Sequence, residues 1–304
     1  MFIRRVKYRF LMASITDSDN KTNVTKKNEK LVKSDDLLAS IFISILRKIT
    51  NFIKPRPIKV ERYGKTFFVS GNLEYSYFWR QRSWEMETYN IFDRFLDSNY
   101  SYIDIGAWIG PTVLYGAQIA KKTYAIEPDP FAYKELEKNV SLNPTLKEKI
   151  VLCEKCISVN SGKVNFGSRS KGGDSGSSLL ISDSKTKWTV DGISFEEFIE
   201  LNKINDCNFI KMDIEGGEEI ILPTMKNYLM REKPTLYLSI HPLFFKNPEE
   251  TTKEIFNILM IYKNLYIHKG KKIGLEDLLS RSRISARFGP KTSYAVVATD
   301  QDWN

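Results

Sequence analysis

The sequence predicts an α/β fold built on a mostly parallel sheet, and three observations predict it. From Glu85 onward, short apolar runs alternate with segments of helical periodicity, the order that lays strands side by side with helices between them. The run Tyr102-Ile103-Asp104-Ile105 enters a turn with two glycines, Gly106 and Gly110, and then a helix from Pro111. This is the strand, loop and helix order of a nucleotide site. A second run, Thr123 to Ile126, ends in Glu127-Pro128 seventeen residues after Gly110, which sets a carboxylate at a neighbouring strand tip where ribose hydroxyls can be bound.

At 304 residues, with 42% hydrophobic and 27% charged residues, the chain has the balance of a globular enzyme and can bury a large core without disulfide or metal staples. Three cysteines and two histidines leave little for structural zinc, which takes Cys and His ligands at close spacing. The formal charge of +9 invites a nucleic-acid reading, but its position argues against one. Residues 1–60 carry 14 Lys and Arg against 5 Asp and Glu, so the whole excess lies there and the rest is balanced. A nucleic-acid enzyme spreads positive potential around its cleft, so no nucleic-acid partner is expected.

Three segments are read along the chain: a basic arm with an amphipathic helix over 1–57, a small β-rich pre-domain over 58–83, and the catalytic body over 84–304. The N-terminus alternates charged with apolar residues instead of leading into an apolar run, so a cytoplasmic location is expected and a cleaved signal peptide is not. Ser34 caps a helix whose uncharged stretch from Leu37 to Leu46, ten residues, is half of the roughly twenty that span a bilayer. Its apolar face, with Leu38, Phe42, Ile45, Ile49 and Phe52, suits packing on its own domain or in an oligomer, which is the favoured expectation. The same face also suits peripheral membrane contact through residues 34–56, with Arg47, Lys48, Lys54 and Arg56 at the headgroups. In the pre-domain, Ile58 to Val60, Thr66 to Val69 and Tyr75 to Trp79 read as strands of a meander.

Charge narrows the ligand of the glycine turn. Asp104 before Gly106, and Pro111, which deletes an N–H at the helix start, both disfavour a pyrophosphate. The third glycine of a dinucleotide fingerprint is also missing. S-adenosylmethionine has no phosphate and carries an ammonium and a sulfonium that a carboxylate attracts. Four blocks stand together here: Trp84-Glu85-Met86-Glu87, Asp104 through Gly110, Glu127-Pro128-Asp129-Pro130, and Lys211-Met212-Asp213-Ile214-Glu215-Gly216-Gly217-Glu218. In order and spacing they resemble the FkbM family of S-adenosylmethionine-dependent methyltransferases. Thr189-Val190-Asp191, and Lys233-Pro234 leading to His241, extend the likeness over residues 84–242.

The resemblance implies a Rossmann-like class I methyltransferase fold: a seven-stranded, mostly parallel sheet with helices on both faces and an N-terminal helical and β appendage. It implies S-adenosyl-L-methionine as cofactor, with Glu87 and Asp104 around its methionine amino group and Gly106, Ala107, Trp108 and Gly110 along it. Glu127 and Pro128 would stand at the ribose, and Cys156 with Ser158 at the start of the adenine pocket.

In the Lys211 block three charges alternate with Met212 and Ile214, so Lys211, Asp213 and Glu215 would share one side of an extended segment. Buried parallel strands seldom carry such a row, and a catalytic site at the carboxyl end of the sheet accounts for it, beside the alternative of a structural ion pair through Lys211. Asp213, Glu215 and His241, the last at the tip of the next strand, are candidates to take a proton from a hydroxyl acceptor. Many family members have an acid where Ser239 stands. A divalent ion at Asp213 and Glu215 lacks a third ligand at convincing spacing, so no metal is expected. The loop 167–178 is read either as a cover for the acceptor or as a solvent loop.

Cys153 and Cys156, three apart in one strand, would point to opposite faces. Helices are read from a capping box at Ser194 and over Glu254 to Tyr262, with last strands over Leu265 to His268 and Tyr294 to Ala298. The expected activity is O-methylation of a hydroxyl on a sugar, glycan or other small polar metabolite. The rival readings are an NAD(P)-dependent oxidoreductase and a non-catalytic membrane-surface or partner-binding protein that keeps the fold.

Overall fold

Tyr63 and Gly64 both take positive φ, 45° and 76°, the backbone of a two-residue hairpin turn. They join β1 (Ile58–Arg62) to β2 (Lys65–Val69) in an antiparallel pair. The computed structural model describes residues 56–81, 84–168, 172–181, 186–288 and 293–303. The predicted arm and its amphipathic helix lie outside the described residues.

The third piece of the expected meander is not a strand. Ser76–Arg80 form helix α1, because Tyr75 and Trp79, one helical turn apart, are both buried while Tyr77 between them is exposed. The aromatic β-propensity of this run yields to that burial. Trp79 meets Phe67 of the hairpin edge to face, and both join one apolar cluster with Trp108, Val113 and Leu136 of the main body.

Helix α2 (Met86–Phe95) is followed by β3 (Ser101–Ile105), α3 (Pro111–Gly116), β4 (Lys122–Ile126), α4 (Pro130–Ser141), the short α5 (Pro144–Lys147) and β5 (Ile150–Cys153). Asp129 caps α4 by accepting from the backbone N–H groups of Phe131 and Ala132, with Pro130 at the first helical position where no N–H is needed. The chain then builds a separate small sheet from β6 (Cys156–Ile157), β7 (Gly162–Ser168) and β8 (Thr186–Ile193), in the order β6-β8-β7.

Next come α6 (Phe195–Leu201), whose cap Ser194 accepts from the Glu197 N–H as the capping box predicts, β9 (Cys207–Met212), α7 (Glu218–Glu232) and β10 (Thr235–Ile240). Helix α8 (Pro248–Leu259), β11 (Asn264–Ile267), β12 (Lys271–Lys272), helix α9 (Leu275–Phe288) and β13 (Tyr294–Thr299) complete the chain. Pro248 starts α8 six residues before the predicted start at Glu254, and α9 has no counterpart in the sequence reading. Among the described residues no helix is long and apolar enough to cross a membrane.

The main sheet has the order β12-β11-β13-β10-β9-β3-β4-β5. β5, β4, β3, β9 and β10 run parallel, and β13 is antiparallel to both β10 and β11. This is the Rossmann-like sheet expected, with one strand more: the eighth is the two-residue β12 at the edge, too short to leave a periodic signal. The thiols also differ from expectation. Cys153 ends β5 of the main sheet and Cys156 opens β6 of the small one, so they do not share a strand, because Glu154 and Lys155 carry the chain from one sheet to the other.

Period-two alternation assigns the faces. Ile103, Ile105, Ile210, Met212, Leu236 and Leu238 point into the larger cluster beneath α6, α7 and α8. Tyr102, Phe209, Tyr237 and Val297 point the other way, onto Tyr89, Phe92 and Phe95 of α2. The chain leaves β3 toward β4 and β5 and later returns through β9 on its other flank, so the sheet's topological switch lies between the ends of β3 and β9. Ligands of open α/β sheets bind in the crevice at such a point.

Gly106 follows β3 at this switch with φ +87°. A Cβ there would lie 1.9 Å from the backbone oxygen of Asp213, so the two strand ends approach only because the side chain is missing. Gly64, with φ +76°, has nothing within 4 Å. Gly64→Ala should therefore cost only the left-handed backbone, about 1–2 kcal/mol, while Gly106→Ala should cost on the order of 3 kcal/mol or more. Denaturant unfolding of both variants checks this, and equal costs would refute the close approach.

Candidate functional site

Asp104 and Lys211 are direct register partners across β3 and β9, so their side chains emerge on the same face, toward α2. Lys211 Nζ lies 3.3 Å from Asp104 Oδ1, with side-chain exposures of 4% and 0%. Asp104 Oδ2 also accepts from the Tyr102 hydroxyl at 2.7 Å and the Thr112 hydroxyl at 2.6 Å. Every polar contact of this carboxylate in the structure is thus made inside the protein. Burial would lower the Lys211 pKa, but Asp104, Asp213 and Glu85 together raise it above its ordinary value, so it stays a cation. Removing one partner of such a pair costs about 3–5 kcal/mol. Lys211→Met should destabilise the fold by that amount, and adding Asp104→Asn should recover part of it; thermal unfolding of the single and double variants reads the coupling, and strict additivity would refute the pair.

Lys211 faces a second carboxylate, Asp213 Oδ2 at 3.8 Å. Burial would raise the Asp213 pKa, but Lys211 and His241 hold it below its ordinary value. The other Asp213 oxygen, Oδ1, lies 3.5 Å from His241 Nε2, and Glu215 Oε1 lies 3.9 Å from the same nitrogen. Nδ1 of the ring is 2.9 Å from Glu218 Oε1, which also accepts the Ile214 N–H at 3.2 Å. The ring stacks on Phe244 with an interplanar angle of 11°. Burial would depress the His241 pKa, but Glu218, Asp213 and Glu215 lift it to about 10.

Two cavities meet here. A narrow slot of about 60 Å³ runs from Gly106 past Glu127, Pro128 and Cys156. Ile126, Ile157, Phe166 and Leu179 add apolar walls. Glu127 closes one side: its Oε2 accepts the Trp108 N–H and its Oε1 the Asp129 N–H, each at 2.7 Å. Both bonds favour the carboxylate form, yet burial pushes its pKa up to about 8. Each oxygen keeps a second lone pair, the pair of acceptors that the two hydroxyls of a vicinal diol can donate to. An open cleft of about 690 Å³ takes in Glu85, Lys211, Tyr237, Ser239 and His241. Gly106, Trp108, Ser175, Asp213 and Glu215 line both cavities.

The loop 172–178 covers the slot and is held there. Trp108 Nε1 donates to the Gly173 carbonyl at 3.0 Å, and Asp129 Oδ2 accepts from the Gly173 N–H at 2.7 Å and the Ser177 hydroxyl at 2.9 Å. Its far end bridges back to Gly167 through Ser178.

The predicted residues are thus spread over distinct places. Gly106, Trp108, Glu127, Pro128 and Cys156 line the slot, and Ala107, Lys211 and Glu87 line the cleft. Gly110 caps α3 with a left-handed backbone, and Ser158 is buried with its hydroxyl on the Asn160 carbonyl. Glu87 stands at the rim, 3.3 Å from His268 Nδ1 and 59% exposed.

The carboxylate facing Lys211 from this helix end is Glu85, whose pKa burial raises against the pull of Lys211, and whose Oε2 accepts from the Thr88 hydroxyl. Sequence reasoning missed Glu85, the loop serines and Asp129 as a loop anchor. Only the Trp-Glu-Met-Glu block pointed near Glu85. His241 joins Asp213 and Glu215 with ligand atoms all within 4.8 Å of one another, the third ligating group that sequence spacing did not reveal.

With this geometry, the family model of the methyltransferase FkbM domain matches residues 104–267, and the chain belongs to that family of methyltransferases. Among solved structures it is similar to the methyltransferase FkbM from Methylobacillus flagellatus KT, with 19% identity over 57% of this chain and 40% of that one, at a TM-score of 0.41. Trm5 of Methanocaldococcus jannaschii, solved with adenosine, shares 12% identity over 81% and 56% of the two chains, at a TM-score of 0.36. A Streptococcus mutans protein solved with SAH shares 10% identity over 69% and 93%, at a TM-score of 0.38. The chain thus spans less than two thirds of the length of the first two. No curated protein matches the sequence.

Burial pushes the Cys156 and Cys207 thiols up to about 12, and burial also raises Cys153, which is partly exposed. A thiol of pKa 12 has a negligible thiolate fraction at pH 8. A disulfide reagent at pH 8 should therefore label the native protein at one thiol, Cys153, and the denatured protein at all three. Rapid labelling of Cys156 in the native protein would mean that the slot wall opens.

Proposed function

We propose that this methyltransferase uses S-adenosyl-L-methionine to methylate a hydroxyl of a sugar, glycan or other small polar metabolite. The observation that carries the reading is the junction of a narrow, largely apolar slot, with Glu127 on its wall, and a polar open cleft at Gly106, Asp213 and Glu215. In transfer, the donor's sulfur–methyl bond breaks as the oxygen–methyl bond forms, leaving a neutral thioether and a proton from the hydroxyl. Residues of the slot and cleft serve each need. Glu127 binds the ribose diol through its spare lone pairs, while Cys156 and the apolar walls receive the base. Glu85 lies where the cationic end of the donor must reach the cleft.

At the junction, a carboxylate of Asp213 or Glu215 takes the hydroxyl proton, and His241 holds that pair in place. Lys211 keeps the Asp213 charge oriented. The loop 172–178 shields the slot from water, and positioning of the acceptor in line with the leaving sulfur supplies much of the rate. Glu87, His268 and Lys269 at the rim favour a polar acceptor. The balanced charge of residues 61–304 argues against a nucleic-acid acceptor. The reading keeps the cytoplasmic location that the N-terminal pattern suggests.

Calorimetric titration with S-adenosylmethionine, S-adenosylhomocysteine and NADH tests the cofactor. Binding of the first two should be weakened at least tenfold by Glu127→Ala, which removes both diol acceptors. Transfer of labelled methyl to a panel of sugars and polyols should fall at least 100-fold in Asp213→Asn while cofactor affinity changes little. Binding of NADH alone would overturn the reading in favour of an oxidoreductase. Silence from all three would favour a non-catalytic protein.

A further inference from the structure

The cluster at the floor of the cleft is arranged as a set of metal ligands. Asp213 and Glu215 offer carboxylate oxygens and His241 offers Nε2, on three positions that the sequence separates but the ends of β9 and β10 bring together. The His241 side chain is only 7% exposed, and its Nδ1 is engaged by Glu218, whose side chain is fully buried. A carboxylate behind the far ring nitrogen is the support that fixes a ligating imidazole in metal sites. It leaves Nε2 aimed at the two carboxylate oxygens, at 3.5 and 3.9 Å, both longer than an ordinary hydrogen bond, and an ion bound there would release to solvent the proton that this nitrogen otherwise carries.

Ligands about 2.1 Å from one ion at right angles stand about 3.0 Å apart, and at tetrahedral angles about 3.4 Å. The two distances from Nε2, 3.5 and 3.9 Å, exceed the tetrahedral separation by 0.1 and 0.5 Å, and all three ligand atoms lie within 4.8 Å of one another, so side-chain torsions must draw the set in by up to about 1 Å. Division of the Asp213 carboxylate makes the arrangement workable. Oδ2 faces Lys211 and Oδ1 faces His241, so the lysine does not occupy the oxygen that an ion would take. Glu215 reaches the cluster from a left-handed backbone, φ 53°, which turns its side chain back over the end of β9.

We propose that Asp213, Glu215 and His241 bind one divalent cation of the Mn²⁺ class, with the remaining coordination positions open to the cleft. Two carboxylate oxygens and one imidazole nitrogen suit an ion between the hard Mg²⁺ and the softer Zn²⁺. An acceptor hydroxyl bound at an open position would lose its proton more easily, which makes the ion a partner of the methyl transfer proposed above. This use rests on that reading, but the binding does not.

Titration of the purified full chain with Mn²⁺ alone, followed by the loss of its free electron-paramagnetic-resonance signal, should give one bound ion per chain. Asp213→Asn and His241→Ala should each weaken it at least tenfold, and Glu218→Gln should weaken it 10–100-fold through the ring's support, while Asp191→Asn on the distant β8 should leave it unchanged. Pulsed resonance of the Mn²⁺-loaded wild type should show one directly bound imidazole nitrogen, lost in His241→Ala and kept in His268→Ala. The wild-type coupling by itself needs no site variant to fold.

Absence of the nitrogen coupling, or Mn²⁺ affinity unchanged in both Asp213→Asn and His241→Ala, would overturn the site. Calorimetry with S-adenosylhomocysteine on the same samples separates the two readings. Mn²⁺ binding with no S-adenosylhomocysteine binding would uphold the metal site and count against the methyl transfer. The reverse result would overturn the metal site alone.

Discussion

A lysine ammonium at the centre of a parallel sheet is the constraint around which the rest is arranged. Lys211 is 4% exposed and sits beside Asp104 on the adjacent strand. An unpaired charge at that depth would cost several kcal/mol, so the surroundings must supply carboxylates, and they come from three elements: Asp104 from β3, Asp213 from the end of β9 and Glu85 from the residue before α2. The compensation then fixes geometry. Asp104, shared with Tyr102 and Thr112, ties the first turn of α3 to β3, which in turn sets the course of the glycine loop. Asp213 turns one oxygen to the lysine and the other to His241.

Position in the sheet explains why the cavities form beside this lysine. β3 and β9 run parallel, but the connections that follow them lead to opposite flanks of the sheet, and only Gly106 lets their ends come as close as they do. The slot and cleft are the two sides of that approach. Its cover, the loop 172–178, is anchored by Asp129, which also caps α4. One side chain therefore couples the start of a helix to the roof of the slot, and Glu127 two residues earlier couples the same turn to the floor.

How much of this was legible in the sequence follows from what kind of signal each part leaves. β3, β4, β9 and β10 were readable because both faces are buried and the apolar run is continuous. The charges of Lys211 and Asp213 were readable because they break that run. The short β12 and the helix Ser76–Arg80 were not: two residues carry no period, and an aromatic-rich pentapeptide has the composition of a strand until the burial of Tyr75 and Trp79 one turn apart decides otherwise.

The site was legible where residues follow a strand directly, as Gly106, Glu127, Asp213 and His241 do. It was not legible where long-range packing chose the residue. Glu85 rather than Glu87 faces the lysine because the chain reverses its backbone at position 85, with φ 59°, and no local pattern announces that.

Seven described residues other than glycine adopt positive φ, a conformation that costs a residue with a Cβ about 1 kcal/mol or more. Tyr63 serves a hairpin turn, Lys203 follows the end of α6 and Lys233 caps the end of α7. Four others, Glu85, Trp108, Glu215 and Lys269, all line the open cleft. Helix ends and turns account for isolated cases, but not for this gathering of four around one cavity. Trp108 turns its indole N–H to the covering loop, while Glu85 and Glu215 turn carboxylates toward Lys211 and His241. The fold accepts these conformations where cationic, acidic and aromatic groups must converge, which is the expected place for strain in a site that binds and positions a reactant.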